Sequence, residues 1–274
     1  MNARALAAWS LAGLVVALGT TNPYYRGLVA LAGIALLLRR TRPEVRLRPL
    51  FTVLAGAALG AALINPLLSH VGDDVLFSLP AAIPVAGGPI TAEAAVFGLV
   101  VGLGIAASML AVAPLSLAIE SHELINALPR HLERTGTAVS ASLHLVPGIA
   151  RSYTAIREGQ LLRGWKPGGP AAWGEVLVPT LLTAIEDSVQ LAEAMEARAY
   201  GSGRRTSFAV SRWRASDSVL LLAAAAVAGG FLIARAAGFG GDWHAYPRLT
   251  APELQPALLA LCLLLFLPAV RWPR

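Results

Sequence analysis

AAVFGLVVGLGIAASMLAVAPLSLAI, residues 94–119, holds no charged side chain and exceeds the roughly 20 apolar residues that cross a hydrocarbon core. Such a run decides the fold class, and others lie on either side of it. Leu50 to Leu68, Val219 to Ala234 and Leu254 to Val270 are likewise free of charge. Upstream, Ala5 to Leu38 carries only Arg26. As one helix it would run about 50 Å, too long for a single crossing. Thr20-Thr21-Asn22-Pro23 is a turn-forming stretch that splits it into two short spans. Composition agrees: 56% of the 274 residues are apolar and only 14% charged, against about 25% charged in a soluble domain. The expectation is an all-α integral membrane protein of about six transmembrane helices.

Charge placement orients those spans. With both termini inside, every Lys and Arg except Arg26, Arg235 and Arg248 falls in an inner segment, a strong positive-inside pattern. The outer loop from Ser69 to Thr91 has no basic residue and carries Asp73 and Asp74. The basic balance therefore reports membrane topology, and it needs no nucleic-acid partner. Arg4 followed by an apolar stretch to Gly19 resembles a signal peptide, but the charge argument works better with that span retained. The lone Cys262 lies inside the last span and reads as packing.

The expected organisation is 1–119 for spans one to four, 120–217 for a cytoplasmic insertion, and 218–274 for spans five and six. The insertion opens with a short helix, Glu120 to Thr135, interrupted by Pro129. A longer helical pattern runs from Thr137 to Arg163, with Ile149, Tyr153 and Ile156 on one face. Lys166-Pro167-Gly168-Gly169-Pro170 breaks it. A second helix is expected from Pro179, a residue suited to a first turn, to Tyr200. Leu181, Leu182, Ile185, Val189, Ala192 and Met195 form its apolar stripe, and Gly201-Ser202-Gly203 ends it. Each helix would be about 25 to 30 Å long. The pair share a repeat: Leu145-Val146-Pro147 and Leu177-Val178-Pro179 precede two arginine-bearing ends, Leu162-Arg163-Gly164-Trp165 and Ala197-Arg198-Ala199-Tyr200-Gly201.

Catalytic machinery is not evident. There is no Gly-x-x-x-x-Gly-Lys-Ser/Thr loop for phosphate, and the five histidines make no His-Glu-x-x-His zinc motif. No metal site or cofactor is expected. Asp73-Asp74 reads as a solvated pair, and Glu93 as a carboxylate suited to a helix N-terminus. A cation near a helix C-terminus complements the macrodipole by about 0.3 to 1 kcal/mol. Two arginines on matched ends, each beside small residues, point further, to a partner whose carboxylates a guanidinium can grip bidentately.

At these residues the chain resembles the transmembrane T component of energy-coupling factor (ECF) transporters, the EcfT/CbiQ family. That family is marked by two Ala-Arg-Gly-type motifs, which stand here as Leu162-Arg163-Gly164 and Ala197-Arg198-Ala199. Leu162 and Ala199 depart from the pattern. Thr21-Asn22-Pro23, Asn65-Pro66-Leu67-Leu68-Ser69-His70 and Val75-Leu76-Phe77 are further points of similarity. The resemblance covers about residues 5 to 270. It implies an ABC importer in which two cytosolic ATPase subunits bind the ends at Arg163, Gly164, Ala197, Arg198 and Ala199. A small membrane S component would capture a vitamin or transition-metal ion. The faces holding Ile149, Tyr153 and Ile156, and Leu181 to Met195, would meet the S component or pack on each other. The alternatives are the permease of a conventional ABC importer, whose single coupling helix Glu193-Ala194 with Gly201 faintly echoes, and an intramembrane enzyme.

Overall fold

The computed structural model describes residues 2–40, 46–80, 87–118, 133–166, 168–200, 213–239 and 242–269. In chain order these form α1 (Ala3–Gly19), α2 (Pro23–Arg40), α3 (Arg48–Leu68), β1 (Val75–Leu79), β2 (Gly88–Thr91) and α4 (Ala92–Ala118). Next come α5 (Glu133–Leu162), α6 (Gly169–Ala197), α7 (Ala215–Ala236) and α8 (Pro256–Leu263), which continues as a 3₁₀ segment, Leu264–Ala269. Two compact units result: Met1–Leu124 with Arg212–Arg274, and Ile125–Ser211. The short helix expected over 120–135 lies mainly outside the described residues, and the Gly201-Ser202-Gly203 stop wholly so.

The first unit is a helical bundle. The chain breaks between α1 and α2 where the sequence indicates: Asn22 donates its amide N–H to Thr20 Oγ1 and accepts from the Tyr24 amide, both at 3.0 Å. Among the described residues three helices, α3, α4 and α7, are long and apolar enough to cross a membrane. α1 and the Pro256–Ala269 segment are apolar but shorter. α2, at 18 residues, carries Arg26, Arg39 and Arg40. The expected outer loop also holds an antiparallel ribbon, with Phe77 opposite Ile90 and Leu79 opposite Gly88.

α4 is the hub, with α1, α2 and α3 all packed on it, while α7 packs on α1. Lipid gives no hydrophobic drive for helices to associate, so close backbone approach between small residues does that work. A Cβ on Gly102 would lie 2.7 Å from Ala58 Cα, and one on Gly33 would lie 2.4 Å from the Leu110 carbonyl oxygen. Trp9, Tyr25, Leu36, Phe231 and Leu258 fill the interior. The Trp9 indole N–H donates to the Leu265 carbonyl at 2.9 Å, as a polar group without water must.

Hydrogen bonds tie both ends of the bundle. At one end Glu93, fully buried, accepts the Asp73 and Asp74 amides through Oε1 at 3.1 Å each. The residue expected to favour a helix N-terminus therefore also clasps the loop before it. Thr21 Oγ1 accepts the Trp243 amide at 2.7 Å, and Asn22 Nδ2 donates to the Glu253 carbonyl at 2.9 Å. Asn65 Nδ2 donates to the Ala94 carbonyl, and Ser69 Oγ meets Tyr246 Oη at 3.3 Å. Asp73 and Asp74 are exposed, and Asp73 pairs with exposed Arg248 at 2.8 Å. That hydrogen bond and charge raise the Arg248 guanidinium above its ordinary value. At the other end buried Asp217 accepts the Asn2 amide and the Arg214 amide, joining the starts of α1 and α7.

The contact at Gly33 sets a test. Gly33→Leu meets backbone that cannot move aside and should destabilise the detergent-solubilised protein by about 2 kcal/mol or more in denaturant unfolding. Gly27→Leu, on the same helix with nothing within 4 Å, should stay within about 0.5 kcal/mol.

Candidate functional site

α5 and α6 pack together in the second unit, and both run through a proline, Pro147 and Pro179. The second is a correction, because Pro179 does not open its helix. A stronger start lies upstream, where Gly168 is extended at the N-cap and Pro170 occupies the first turn. Inside α6, Thr180 and Thr183 donate hydroxyls to the Val176 and Pro179 carbonyls at 2.7 and 3.1 Å. The helices have 30 and 29 residues, so each spans roughly 45 Å, well beyond the expected length.

The two arginine-bearing ends are built alike. α5 stops at Leu162, Arg163 is the C-cap, and Gly164 follows with φ +85°. The Gly164 amide donates to the Leu161 carbonyl and the Trp165 amide to the Gln160 carbonyl, both at 3.0 Å. α6 stops at Ala197, Arg198 is the C-cap, and Ala199 follows with φ +52°. The Ala199 amide donates to the Glu196 carbonyl at 2.8 Å and the Tyr200 amide to the Met195 carbonyl at 2.9 Å. Both are Schellman motifs, in which a left-handed residue after the cap returns two amides to the last turn. Gly164 takes that conformation without strain. Ala199 takes it at a cost of about 1 kcal/mol, so α6 ends before the expected Gly201.

This geometry fixes where the arginines stand. Each occupies the last position before the chain reverses and is exposed. Neither guanidinium makes an ion pair or hydrogen bond among the described residues. Ala197, Ala199 and Gly164 beside them are exposed and small, and Leu162 is 90% exposed. Each motif also ends on an aromatic residue to which the sequence reading gave no role, Trp165 and Tyr200. The Arg-x-aromatic spacing common to both ends was the available signal. The Trp165 indole nitrogen is buried without a partner among the described residues.

The apolar faces separate. On α5, Ile149, Tyr153 and Ile156 are half-buried alongside Gly148, Ser152 and Gly159, a face with small residues that suits a neighbouring helix. On α6 the covered positions are Ala172, Val176 and Thr180. Its stripe of Leu181, Leu182, Ile185, Val189 and Ala192 is exposed, Ile185 by 60%, while Met195 is half-buried. Leu177 and Val178 extend this stripe upstream. The α6 stripe is therefore apolar surface left uncovered by its own unit.

The profile of the CbiQ family, described as cobalt transport protein, matches residues 1–208, a stretch that includes both arginine ends. The chain belongs to the CbiQ family. A curated relative is the energy-coupling factor transporter transmembrane protein EcfT of Listeria innocua serovar 6a, 33% identical over 99 residues. That stretch covers 33% of this chain and 37% of the relative.

The two left-handed caps give opposite expectations for neighbouring substitutions. Ala199→Gly relieves strain and should slow hydrogen exchange of the Tyr200 amide about fivefold, whereas Gly164→Ala should speed that of Trp165 by a similar factor. Exchange measured by mass spectrometry on peptides from each tip checks both.

Proposed function

We propose that this chain is the transmembrane scaffold and energy-coupling subunit of an ECF-type ABC importer. In this reading it passes ATP-driven motion of two cytosolic ATPases to a membrane S component that captures a vitamin or transition-metal ion. The chain itself hydrolyses nothing and sits in the cell membrane with both termini in the cytoplasm. The observation that carries this reading is the pair of Schellman turns with Arg163 and Arg198 at the same cap position. One chain then offers two docking points of one build, as two homologous ATPases would require. A conventional permease would offer one.

The roles follow from chemistry. Each guanidinium projects from a reversal with small residues around it, so a carboxylate in a partner groove can take two of its N–H groups at once. A rigid cap passes displacement into its helix, because the last-turn carbonyls are bonded across the turn. The exposed α6 stripe from Leu177 to Val189 supplies apolar surface for the S component, and the half-covered α5 face holds the helix pair together. The family's description as cobalt transport accords with a transition-metal substrate, carried by the partner that captures it.

Arg163→Glu with Arg198→Glu should abolish transport and ATPase co-purification while leaving membrane insertion intact. Affinity isolation from native membranes in mild detergent, with the partners identified by mass spectrometry, makes the measurement. Wild-type ATPase yield from the double variant contradicts the proposal.

A further inference from the structure

Arg26 is a charge within an apolar bundle, and no carboxylate among the described residues pairs with it. Its Nε donates to the Thr20 carbonyl at 2.8 Å and its Nη1 to the Val100 carbonyl at 2.9 Å. Nη2 and the second Nη1 hydrogen have no acceptor among the described residues. The fit depends on Gly104, where a Cβ would lie 2.8 Å from Arg26 Cζ. Two backbone carbonyls orient a guanidinium but leave its charge unneutralised, so an anion that reaches its remaining N–H groups gains a charge-assisted pair.

An apolar groove of about 620 Å³ runs beside it, lined by Pro23, Ala58, Leu99, Val100, Leu103 and Trp243 among others. The groove and the arginine share walls. Val100 lines the groove and accepts from Arg26; Pro23 lines it and opens the helix that carries Arg26; Gly104, against the guanidinium, follows Leu103. Trp243, a buried lining residue, is held by its indole N–H, which donates to the Thr250 carbonyl at 2.7 Å. Aromatic rings with one polar edge favour the headgroup level of a bilayer.

We propose that Arg26 and this groove form a site for one phospholipid, with the phosphate on the free N–H groups of Arg26 and an acyl chain along Leu99, Leu103 and Ala58. The guanidinium fork suits two phosphate oxygens, and the groove offers the chain an apolar wall. The site lies in the bundle and does not depend on which proteins meet the arginine tips.

The test uses the chain, with whatever subunits it assembles with, delipidated in detergent and followed by native mass spectrometry. It is titrated with dioleoylphosphatidylglycerol, with dioleoylglycerol, which has the same chains and no phosphate, and with inorganic phosphate. One phosphatidylglycerol should bind at least tenfold more tightly than dioleoylglycerol. Arg26→Gln and Leu103→Trp should each weaken it about tenfold, Arg26→Lys should weaken it less, and inorganic phosphate should not displace it. The proposal falls if Arg26→Gln binds as the wild type does, if the two lipids bind equally, or if free phosphate competes. It falls equally if a photo-crosslinker at position 26 captures an acidic segment of a partner protein in place of lipid. Should Arg26→Gln fail to assemble, the Leu103→Trp titration with Arg26 intact decides between retained and lost binding.

Discussion

The last carbonyls of an α-helix need donors, and the way α5 and α6 supply them governs the rest of the account. Each helix folds its chain back through one left-handed residue, so that two amides return to the final turn. The residue just before that reversal must stand at the extreme end of the helix. In both helices it is an arginine. A guanidinium there cannot fold back along the helix to a partner without giving up its exposed position, and neither Arg163 nor Arg198 has one among the described residues. The cap thus fixes the backbone position from which each exposed cation extends.

The bundle unit meets a different constraint with different means. Its helices are held by close backbone approach around α4 and by hydrogen bonds at both ends, where loops cross from one helix to the next. Glu93 shows how economical this is, since one buried carboxylate both faces the start of α4 and fixes the loop ahead of it. Arg26 is a charge whose partners among the described residues are backbone carbonyls.

Much of this was legible in the sequence. The chain breaks at Thr20 to Asn22 and again around Lys166 to Pro170 because clustered Asn, Gly and Pro favour turn geometry there. The apolar stripe of α6 followed from helical periodicity alone. Other features depended on competition between signals. Pro179 looked like a helix start, but Gly168 and Pro170 make a better one, and tertiary packing carries the helix through the later proline. Ala199 adopts a conformation that its residue type disfavours, so a glycine further on was the natural choice for the stop. The ribbon of β1 and β2 was not expected in the outer loop; Glu93 and Thr91 hold the loop that leads into it through the Asp73 and Asp74 amides and the Val71 carbonyl. Which apolar face would be covered could not be read from periodicity, because both helices carry one.

The chain belongs to the CbiQ family, and in the proposed function its paired caps are the physical reason for one chain to engage two motor subunits. The most direct test places a photo-reactive amino acid at position 163 or at position 198 and irradiates native membranes. The account predicts that each position, used singly, captures an ABC-type ATPase subunit. Capture at one position only, or of lipid and the chain itself at both, contradicts it.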